Sequence, residues 1–336
     1  MRITVIGDGG WGTALALLLN GYGHEVTLWG AFPEYLAEIR RNAENVKFLK
    51  GVPIPESLGL EGDPAAAVRG AELVVMAAPS KFYRPVCERF RGILPTDVPI
   101  VSVTKGLCHG PCRRMSEIAR EVIGSANVAV LSGPSHAEEV SRKVPTAVVC
   151  ASENEGLAER VQEIFNGPRF RVYASSDPVG VELGGAVKNV IAVAVGASDG
   201  LGFGDNTRAA LITRGVAEMT RLGVAMGAKP DTFAGLSGMG DLIVTCTSRH
   251  SRNRAVGERL GKGEKLSEIV SGMAMVAEGV DNCQVVCELA EQYGIDMPIS
   301  NEVRGICFDD MPAQDAVARL MGRGTKSEAW HAGNAK

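Results

Sequence analysis

Residues 2–14 read RITVIGDGGWGTA, a short β-branched strand followed at once by a glycine-rich turn. Gly7, Gly9 and Gly12 fit the pattern G-x-G-x-x-G, and the helix-prone stretch TALALLLNGYG comes next. In this context the first glycine allows a tight turn, the second lets a pyrophosphate approach the backbone, and the third lets helix and strand pack closely. The N–H groups at the start of the helix would receive the phosphates. The stretch therefore predicts a dinucleotide-binding Rossmann unit, with a plain strand–turn–helix as the alternative.

Further strand-like segments follow this first unit. They are EVTLW, ELVVMAA, PIVSVT, NVAVLS and TAVVCAS, which begin at Glu25, Glu72, Pro99, Asn127 and Thr146. Helix-prone stretches such as YLAEIRRNAENVKFL and CRRMSEIAREVI separate several of them. Apolar strands that alternate with helices predict an α/β fold with a doubly wound, mostly parallel sheet.

The pattern changes at ASSDP, residues 174–178. Beyond it the chain shows long helical patterns interrupted by glycine and no convincing strand. We therefore expect an α/β dinucleotide-binding domain over 1–176, followed by an all-α substrate-binding domain over 177–336.

Composition excludes several classes of function. The 336 residues are 45% hydrophobic, enough for real cores, and 35 basic against 39 acidic residues give a net charge of −4. This even mixture does not favour nucleic acid or a membrane surface, and no apolar run approaches the roughly 20 residues of a spanning helix. Cys108 with Cys112 and Cys283 with Cys287 lack a zinc-ribbon spacing, so we expect no metal site. Scattered cysteines predict free thiols in a cytoplasmic protein.

Two polar signals follow predicted strands, where ligands bind in open α/β sheets. Lys105 comes directly after PIVSVT, and Ser135 comes shortly after NVAVLS. Each has a simpler interpretation, because Lys105 fits a solvated loop and Ser135 with Glu138 matches a helix capping box.

A later apolar segment, PVGVELGGAVKNVIAVAVGA, contains a lysine and an asparagine. Helical side chains lean toward the preceding turn, and one turn before Lys188 and Asn189 lie Gly184 and Gly185. The two polar side chains would then project over a bare patch that another molecule could approach. The alternative is helix packing on the glycines, with Lys188 paired to Glu182 or pointing outward.

Downstream, Asp241 and Thr245 lie four residues apart and would share one helix face. Ser251, Arg252 and Asn253 open another helical pattern. A serine cap, free N–H groups and a guanidinium at a helix N-terminus predict an anion site, whereas a capped helix with solvated arginines is the alternative.

These motifs together resemble the bacterial-type NAD(P)-dependent glycerol-3-phosphate dehydrogenases. The resemblance covers essentially the whole chain and rests on IGDGGWGTALA, APSK, SVTKGL, LSGPSHAEEV, GAVKNV, GLGFGDNTRAALITRG, GMGDLIVTCTS with SRNR, VAEGV and LMGR. It implies a Rossmann domain followed by a helical domain. It also implies a homodimer that uses NAD or NADP to interconvert dihydroxyacetone phosphate and sn-glycerol 3-phosphate for glycerophospholipid synthesis.

The resemblance assigns roles residue by residue. It implies that Lys188 transfers the proton, with Lys105 and Asp241 also in the catalytic group. The implied cofactor contacts are Gly7, Gly9, Gly10, Trp11, Gly12, Ala31, Lys105, Ala137, Arg252, Val276 and Glu278. The implied substrate contacts are Lys105, Gly133, Ser135, Lys188, Asn189, Asp241, Ser251, Arg252 and Asn253, with Arg252 at the phosphate.

The residue types suit reduction of a ketone, which needs a hydride and a proton at the developing alkoxide. An ammonium can stabilise that charge and deliver the proton. Burial in an apolar helix and a like charge at Lys105 would favour release of the proton from Lys188. Asp241 would hold and orient the ammonium, and Asn189 could orient a hydroxyl or carbonyl without adding charge.

The choice of dinucleotide depends on the residues after the second strand, where an acid selects NAD and a cation selects NADP. Many members of the resembled family carry Arg or His at the position of Ala31. Here the stretch reads WGAFPEY, with neither acid nor base at Gly30 or Ala31. Arg40 or Arg41 could reach in only if the next helix turns that way. The sequence therefore predicts weak discrimination, within about tenfold.

Two other classes stay open on the sequence. A related two-domain dehydrogenase of hydroxy acids or sugar acids would use the same hydride chemistry on a carboxylate substrate. A non-catalytic dinucleotide sensor would keep the glycine-rich turn but would not need Lys188.

Overall fold

The computed structural model describes residues 1–110, 112–273, 276–325 and 327–328. The chain divides into two compact units, which we call the sheet unit and the helical unit. The sheet unit is Met1–Cys108 with Arg113–Pro178, and the helical unit is His109–Cys112 with Val179–Lys336. The predicted domain boundary follows Ser176, close to this division. The assignment of dinucleotide and substrate roles to the two domains stays a prediction.

The sheet unit alternates strands and helices. Its strands are β1 Arg2–Ile6, β2 Glu25–Trp29, β3 Gly59–Glu61, β4 Leu73–Met76, β5 Ile100–Ser102, β6 Leu107–Cys108, β7 Arg113–Arg114, β8 Val128–Ser132, β9 Thr146–Ala151 and β10 Phe170–Ser175. Its helices are α1 Gly10–Gly21, α2 Pro33–Asn42, α3 Pro64–Ala67, α4 Ser80–Phe90, α5 Met115–Ile123, α6 Ala137–Ser141 and α7 Glu155–Phe165. The predicted α/β class is confirmed.

Eight strands form one sheet in the order β10-β9-β8-β5-β4-β1-β2-β3, and β6 with β7 forms a separate hairpin. All neighbours in the large sheet run parallel except β8 and β9, which are antiparallel. The carboxyl ends of β1, β2, β4, β5 and β8 therefore lie along one edge, where ligands bind in this architecture. The predicted mostly parallel sheet is confirmed. The sequence did not predict that β9 and β10 run in the opposite direction to the other strands.

Both faces of the sheet are covered by apolar layers. Ile3 and Val5 of β1 pack in one cluster with Leu19 of α1. Ile6 belongs to a second cluster, with Phe90 of α4. Successive side chains of a strand point to opposite faces, so a central strand that is apolar throughout is buried on both sides. In β1 the alternation of Arg2 and Thr4 with Ile3 and Val5 does not mark a solvated face, because Thr4 and Ile6 are buried as well.

Two predicted helices are shorter in the structure. The helix predicted from Tyr35 to Leu49 ends at Asn42, because Ala43 adopts a left-handed conformation with φ of 48°. The helix predicted from Cys112 begins only at Met115, after the strand β7. The strands β3 and β10 were not predicted, since each is short or lies at an edge of the sheet.

The helical unit contains the remaining elements. They are α8 Pro178–Gly200, α9 Asp205–Ala225, α10 Pro230–Ala234, a π-helical turn Leu236–Gly240, α11 Asp241–Thr247, α12 Arg252–Gly261, α13 Leu266–Ser271, α14 Glu278–Tyr293, α15 Pro298–Phe308 and α16 Ala313–Met321. The part of this unit that the structure describes contains no strand, and the predicted all-α character is confirmed.

The central helix of this unit is α8. The expectation that no apolar run approaches a spanning length is wrong here, because among the described residues α8 alone is long and apolar enough to cross a membrane. However, 89% of its most apolar window is buried inside the protein. Glycines let it approach α12 backbone to backbone. A Cβ on Gly196 would lie 2.0 Å from the carbonyl oxygen of Arg254, and a Cβ on Gly257 would lie 2.1 Å from that of Val193. This close contact fixes the start of α12 beside α8.

The eight cysteines are all buried, and none of them forms a disulfide with another. Burial raises the pKa of the Cys150 and Cys246 thiols to about 12. The thiolate is the reactive form of cysteine, so these two side chains behave as small apolar residues in the core.

Candidate active site

The glycine-rich turn follows β1 at the carboxyl edge of the sheet. Gly7 has a φ of 117°, which favours glycine, and its N–H donates to the carbonyl of Trp29 at 2.9 Å. A Cβ on Gly7 would lie 2.9 Å from the backbone of Ala77, and a Cβ on Gly12 would lie 1.9 Å from the carbonyl oxygen of Gly7. The first glycine thus makes the turn and the third allows α1 to pack on it, as the pattern predicts.

The second glycine of the turn leaves room for a ligand. A Cβ on Gly9 would meet nothing within 4 Å. Directly after Gly9, α1 begins at Gly10, and the first N–H groups of a helix have no partner within it. The indole Nε1 of Trp11 is buried without a hydrogen-bond partner among the described residues. An open space beside unsatisfied donors fits the pyrophosphate of a dinucleotide.

A buried asparagine that the sequence analysis missed holds this turn. Asn45 Nδ2 donates to the carbonyl oxygen of Asp8 at 2.8 Å and to Thr13 Oγ1 at 2.8 Å. The hydroxyl of Tyr35 donates to Asn45 Oδ1 at 2.5 Å. The pattern YLAEIRRNAENVKFL predicts Asn45 inside a continuous helix, whereas the helix ends at Asn42 and leaves Asn45 in the segment after it.

Lys105 and Ser135 meet at the same edge of the sheet, after β5 and β8. Lys105 Nζ donates to the carbonyl of Gly133 at 2.8 Å and to Ser135 Oγ at 3.0 Å, and Ser135 Oγ donates to Gly133 at 2.8 Å. The capping-box interpretation of Ser135 is wrong, because α6 begins after His136 and has no side-chain cap. The solvated-loop interpretation of Lys105 is wrong as well, since two hydrogen bonds hold its ammonium.

Ala31 and Ala137, two of the predicted cofactor contacts, have small side chains without polar atoms. Ala31 packs against the apolar cluster that contains Trp29. Ala137 is the first residue of α6, and its Cβ lies 3.8 Å from the point that a Cβ on Gly10 would occupy. The structure therefore places Ala137 beside the glycine-rich turn.

In the helical unit, Lys188 of α8 is at the centre of a buried polar group. Its side chain is 6% exposed, and Nζ donates to Asp241 Oδ1 at 2.6 Å and to Thr245 Oγ1 at 2.8 Å. Thr245 Oγ1 in turn donates to the carbonyl of Asp241 at 2.6 Å. We call these three residues the lysine group. An outward-pointing Lys188 is excluded, and the predicted shared face of Asp241 and Thr245 is confirmed.

Gly184 does not leave a bare patch, contrary to one of our interpretations. A Cβ there would lie 2.5 Å from the carbonyl oxygen of Ser237 in the π-helical turn. That turn leads directly into Asp241. The glycine therefore allows the approach that places Asp241 against Lys188, and helix packing is the correct interpretation for Gly184. Single π-helical turns are frequent at functional sites.

Gly184→Ala is expected to lower both stability and turnover. The added methyl group meets backbone, which cannot move without shifting the π-helical turn, and overpacking of this kind costs about 1–3 kcal/mol. Thermal unfolding and kcat measure the two effects. Gly21→Ala is the matched control, because a Cβ at that helical glycine would meet nothing within 4 Å. Wild-type values for Gly184→Ala would contradict the packing role.

The two asparagines that are predicted to contact the substrate, Asn189 and Asn253, are hydrogen-bonded to each other. Asn253 Nδ2 donates to Asn189 Oδ1 at 2.8 Å, and the N–H of Gly279 donates to Asn253 Oδ1 at 2.9 Å. Asn189 Nδ2 donates to the carbonyl of Gly185 at 3.2 Å. This chain of amides ties α8, α12 and α14 together at the residue that directly follows Lys188.

The start of α12 has the predicted cap. Ser251 Oγ accepts from the N–H of Arg254 at 3.2 Å. Arg252 is exposed, and its Nη1 donates to the carbonyl of Val276 at 2.7 Å. Val276 lies two residues before Glu278, which opens α14. Arg254 pairs instead with Asp199 at 2.7 Å, so the arginines of this segment have different partners.

Comparisons with known proteins agree on one family. A model of the NAD-dependent glycerol-3-phosphate dehydrogenase N-terminus matches residues 2–158, and a model of its C-terminus matches residues 177–318. Similar proteins include glycerol-3-phosphate dehydrogenase, NAD(P)+, of Chlorobium phaeobacteroides (strain BS1), 51% identical over 98% of this chain and 99% of the relative. The same enzyme of Geobacter sp. (strain M21) is 52% identical over 97% and 98%.

A solved structure is also similar along nearly its whole length. The crystal structure of glycerol-3-phosphate dehydrogenase from Coxiella burnetii is 40% identical, with a TM-score of 0.92 over 96% of this chain and 99% of that one. The order and extent of both units therefore match a protein whose fold was determined by experiment.

Proposed function

The chain belongs to the NAD-dependent glycerol-3-phosphate dehydrogenase family, and from that premise we propose how its residues carry out the reaction. It is an oxidoreductase that transfers a hydride between NAD(P)H and dihydroxyacetone phosphate, giving sn-glycerol 3-phosphate reversibly. The observation that carries the assignment of roles is the lysine group, in which a buried ammonium is held by Asp241 and Thr245.

NADH or NADPH supplies the hydride when it is bound. The turn after β1 would hold the pyrophosphate, because Gly9 leaves open space beside the first N–H groups of α1. The proposed cofactor contacts are Gly7, Gly9, Gly10, Trp11, Gly12, Ala31, Lys105, Ala137, Arg252, Val276 and Glu278.

Lys188 donates the proton in this proposal. As the carbonyl carbon receives the hydride, negative charge develops on the oxygen, and a protonated amine both stabilises that charge and forms the hydroxyl by giving up its proton. Burial keeps water away from the ammonium, and the bonds to Asp241 and Thr245 fix the position of Nζ. Lys105, held by Gly133 and Ser135, is proposed to contact the substrate and the nicotinamide.

The substrate phosphate is assigned to the start of α12. Ser251 caps this helix, and the guanidinium of Arg252 is anchored beside it by Val276. A helix N-terminus with an arginine offers N–H donors, the positive end of the helix dipole and a fork of charged donors to a phosphate. Asn189 and Asn253 would border the same substrate through their linked amides.

We further propose that the protein works in the cytoplasm as a homodimer and that its product enters glycerophospholipid synthesis. The family resemblance supports these points, and eight buried free thiols suit a reducing compartment. The even distribution of charge along the sequence supports a small-molecule substrate without nucleic acid or membrane insertion.

One assay tests the proposed function. Oxidation of NADH and of NADPH is followed with dihydroxyacetone phosphate, with hydroxypyruvate and with no acceptor. We expect turnover with dihydroxyacetone phosphate alone. Faster turnover with hydroxypyruvate would indicate a hydroxy-acid dehydrogenase, and binding of dinucleotide without turnover of either acceptor would indicate a sensor.

A further inference from the structure

The glycine-rich turn contains an acid, Asp8, between its first two glycines. The carboxyl oxygen Oδ2 of Asp8 is buried and has no hydrogen-bond partner among the described residues. A Cβ on Gly30 would lie 2.5 Å from this oxygen and 2.8 Å from Cγ of the same side chain. Gly30 directly follows β2. The carboxyl therefore lies against the backbone at the carboxyl end of β2.

This position decides which dinucleotide a Rossmann unit binds. The residue after the second strand usually contacts the adenosine ribose, through an acid for the 2′-hydroxyl of NAD or a cation for the 2′-phosphate of NADP. Gly30 and Ala31 supply neither group. We infer that Asp8, from the glycine-rich turn after β1, provides the acid that is missing after β2. Its carboxylate would accept a hydrogen bond from the ribose 2′-hydroxyl of NAD and disfavour NADP. The inference rests on the proposed binding of a dinucleotide at this turn.

The backbone of Asp8 is held in place on both sides. Its carbonyl oxygen accepts from Asn45 Nδ2 at 2.8 Å and from Thr13 Oγ1 at 3.4 Å. The N–H of Gly7 is bonded to Trp29, the last residue of β2. A Cβ at position 30 would displace the carboxyl from its present position, so the glycine leaves free the space that the Asp8 side chain occupies.

The surroundings of Asp8 favour a hydroxyl donor over a second anion. Burial raises the pKa of its carboxyl, because the charged form has lost hydration, whereas its own backbone N–H and the ammonium of Lys47 act to lower that pKa. A ribose hydroxyl would return a hydrogen bond to the buried oxygen. A 2′-phosphate would bring like charge against it.

Lys47 is a nearby cation that could favour NADP instead, whereas the guanidinium of Arg40 donates from Nη2 to the carbonyl of Leu60 at 2.9 Å. Its ammonium lies 4.9 Å from the ring centre of Phe48 and 5.8 Å from that of Tyr35, both of which stabilise a cation. The side chain is exposed, so water screens its charge, whereas the carboxyl oxygen of Asp8 is buried. We therefore expect Asp8 to have the larger effect, and the expectation of weak discrimination changes to a preference for NAD.

Binding measured without substrate tests this inference. Dissociation constants of NADH and NADPH are determined by fluorescence titration for the full chain and for Asp8→Asn, which keeps the shape of the side chain and removes the charge. We expect the wild type to bind NADH at least about tenfold more tightly than NADPH, and Asp8→Asn to reduce that ratio about tenfold, mainly through tighter NADPH binding. Glu34→Gln, which removes an exposed acid in the first turn of α2, should leave the ratio unchanged.

Each outcome separates this inference from the proposed function. An unchanged ratio in an Asp8→Asn protein that melts like the wild type would overturn the role of Asp8 and leave the dehydrogenase assignment intact. An equal change in Glu34→Gln would overturn it as well, since it would indicate a general effect of charge. If Asp8→Asn fails to fold, Lys47→Met supplies the second measurement, and a larger effect of Lys47→Met than the tenfold expected for Asp8 would contradict the inference. Failure of the wild type to bind either dinucleotide would overturn both proposals.

Discussion

Lys188→Ala is expected to lower kcat by about two to four powers of ten, the usual cost of losing a positioned acid–base group. Dinucleotide binding should persist, because the proposed pyrophosphate contacts all lie in the turn after β1. The loss follows from the role of Nζ, which would stabilise and protonate the substrate oxygen. Steady-state kinetics with dihydroxyacetone phosphate measure the loss, and fluorescence titration with NADH checks binding.

The same substitution leaves Asp241, 1% exposed, without its ammonium, and breaking a buried ion pair in this way costs about 3–5 kcal/mol. The double variant Lys188→Ala, Asp241→Ala removes the uncompensated charge and serves as the folded control. It should be as inactive as the single variant while melting closer to the wild type. Added methylamine should restore part of the rate to Lys188→Ala. Near-normal kcat in a folded Lys188→Ala protein would exclude the proposed role.

Arg252→Ala is expected to reduce kcat/KM for dihydroxyacetone phosphate by about 10- to 150-fold, since a hydrogen bond to a charged group contributes about 1.5–3 kcal/mol. The phosphate is remote from the carbonyl that is reduced, so the loss should be much smaller with unphosphorylated dihydroxyacetone. Comparing the two acceptors therefore separates phosphate binding from chemistry.

The hydrogen bond from Arg252 to the carbonyl of Val276 also allows a purely structural role for this arginine. If the guanidinium only holds the segment before α14, both acceptors should lose rate equally. Arg249→Ala is the matched control, because this neighbouring arginine is also exposed and the same charge is removed. A loss of similar size in Arg249→Ala would indicate that net charge, and not a contact of Arg252, attracts the phosphate.

The fold was predictable where local pattern and packing agree. The stretch RITVIGDGGWGTA predicts a strand, a turn and a helix, and in the structure Gly7 and Gly12 have the roles that the spacing assigns. Continuous apolar strands such as LVVM predict burial on both faces, and β4 is fully buried. Conversely, the antiparallel direction of β9 depends on how strands pair across the sheet, and the sequence of a strand alone does not determine whether it pairs parallel or antiparallel.

The types of residue in the candidate site were predictable from the sequence, but which side chains contact one another was less so. An apolar helix with one lysine indicates a buried ammonium, yet the sequence offered Glu182 as its partner, whereas Asp241 lies 53 residues away along the chain. Gly184 could not be interpreted locally either, because its contact, Ser237, comes from a π-helical turn. Asp8 lies 22 positions before Gly30 in the sequence, and only the folded turn brings its carboxyl to the end of β2.

The pairing of Lys188 with Asp241 makes the two directions of the reaction start from different charge states. With the amine protonated, the pair is neutral overall, which is the form that a buried site tolerates best and the form that ketone reduction needs. Oxidation of the alcohol requires the amine without its proton, and that leaves the carboxylate of Asp241 uncompensated. In the proposed mechanism the pair at rest therefore already has the protonation state that reduction to glycerol 3-phosphate needs. The return reaction requires that a proton first leave Lys188, where the carboxylate of Asp241 stabilises the ammonium.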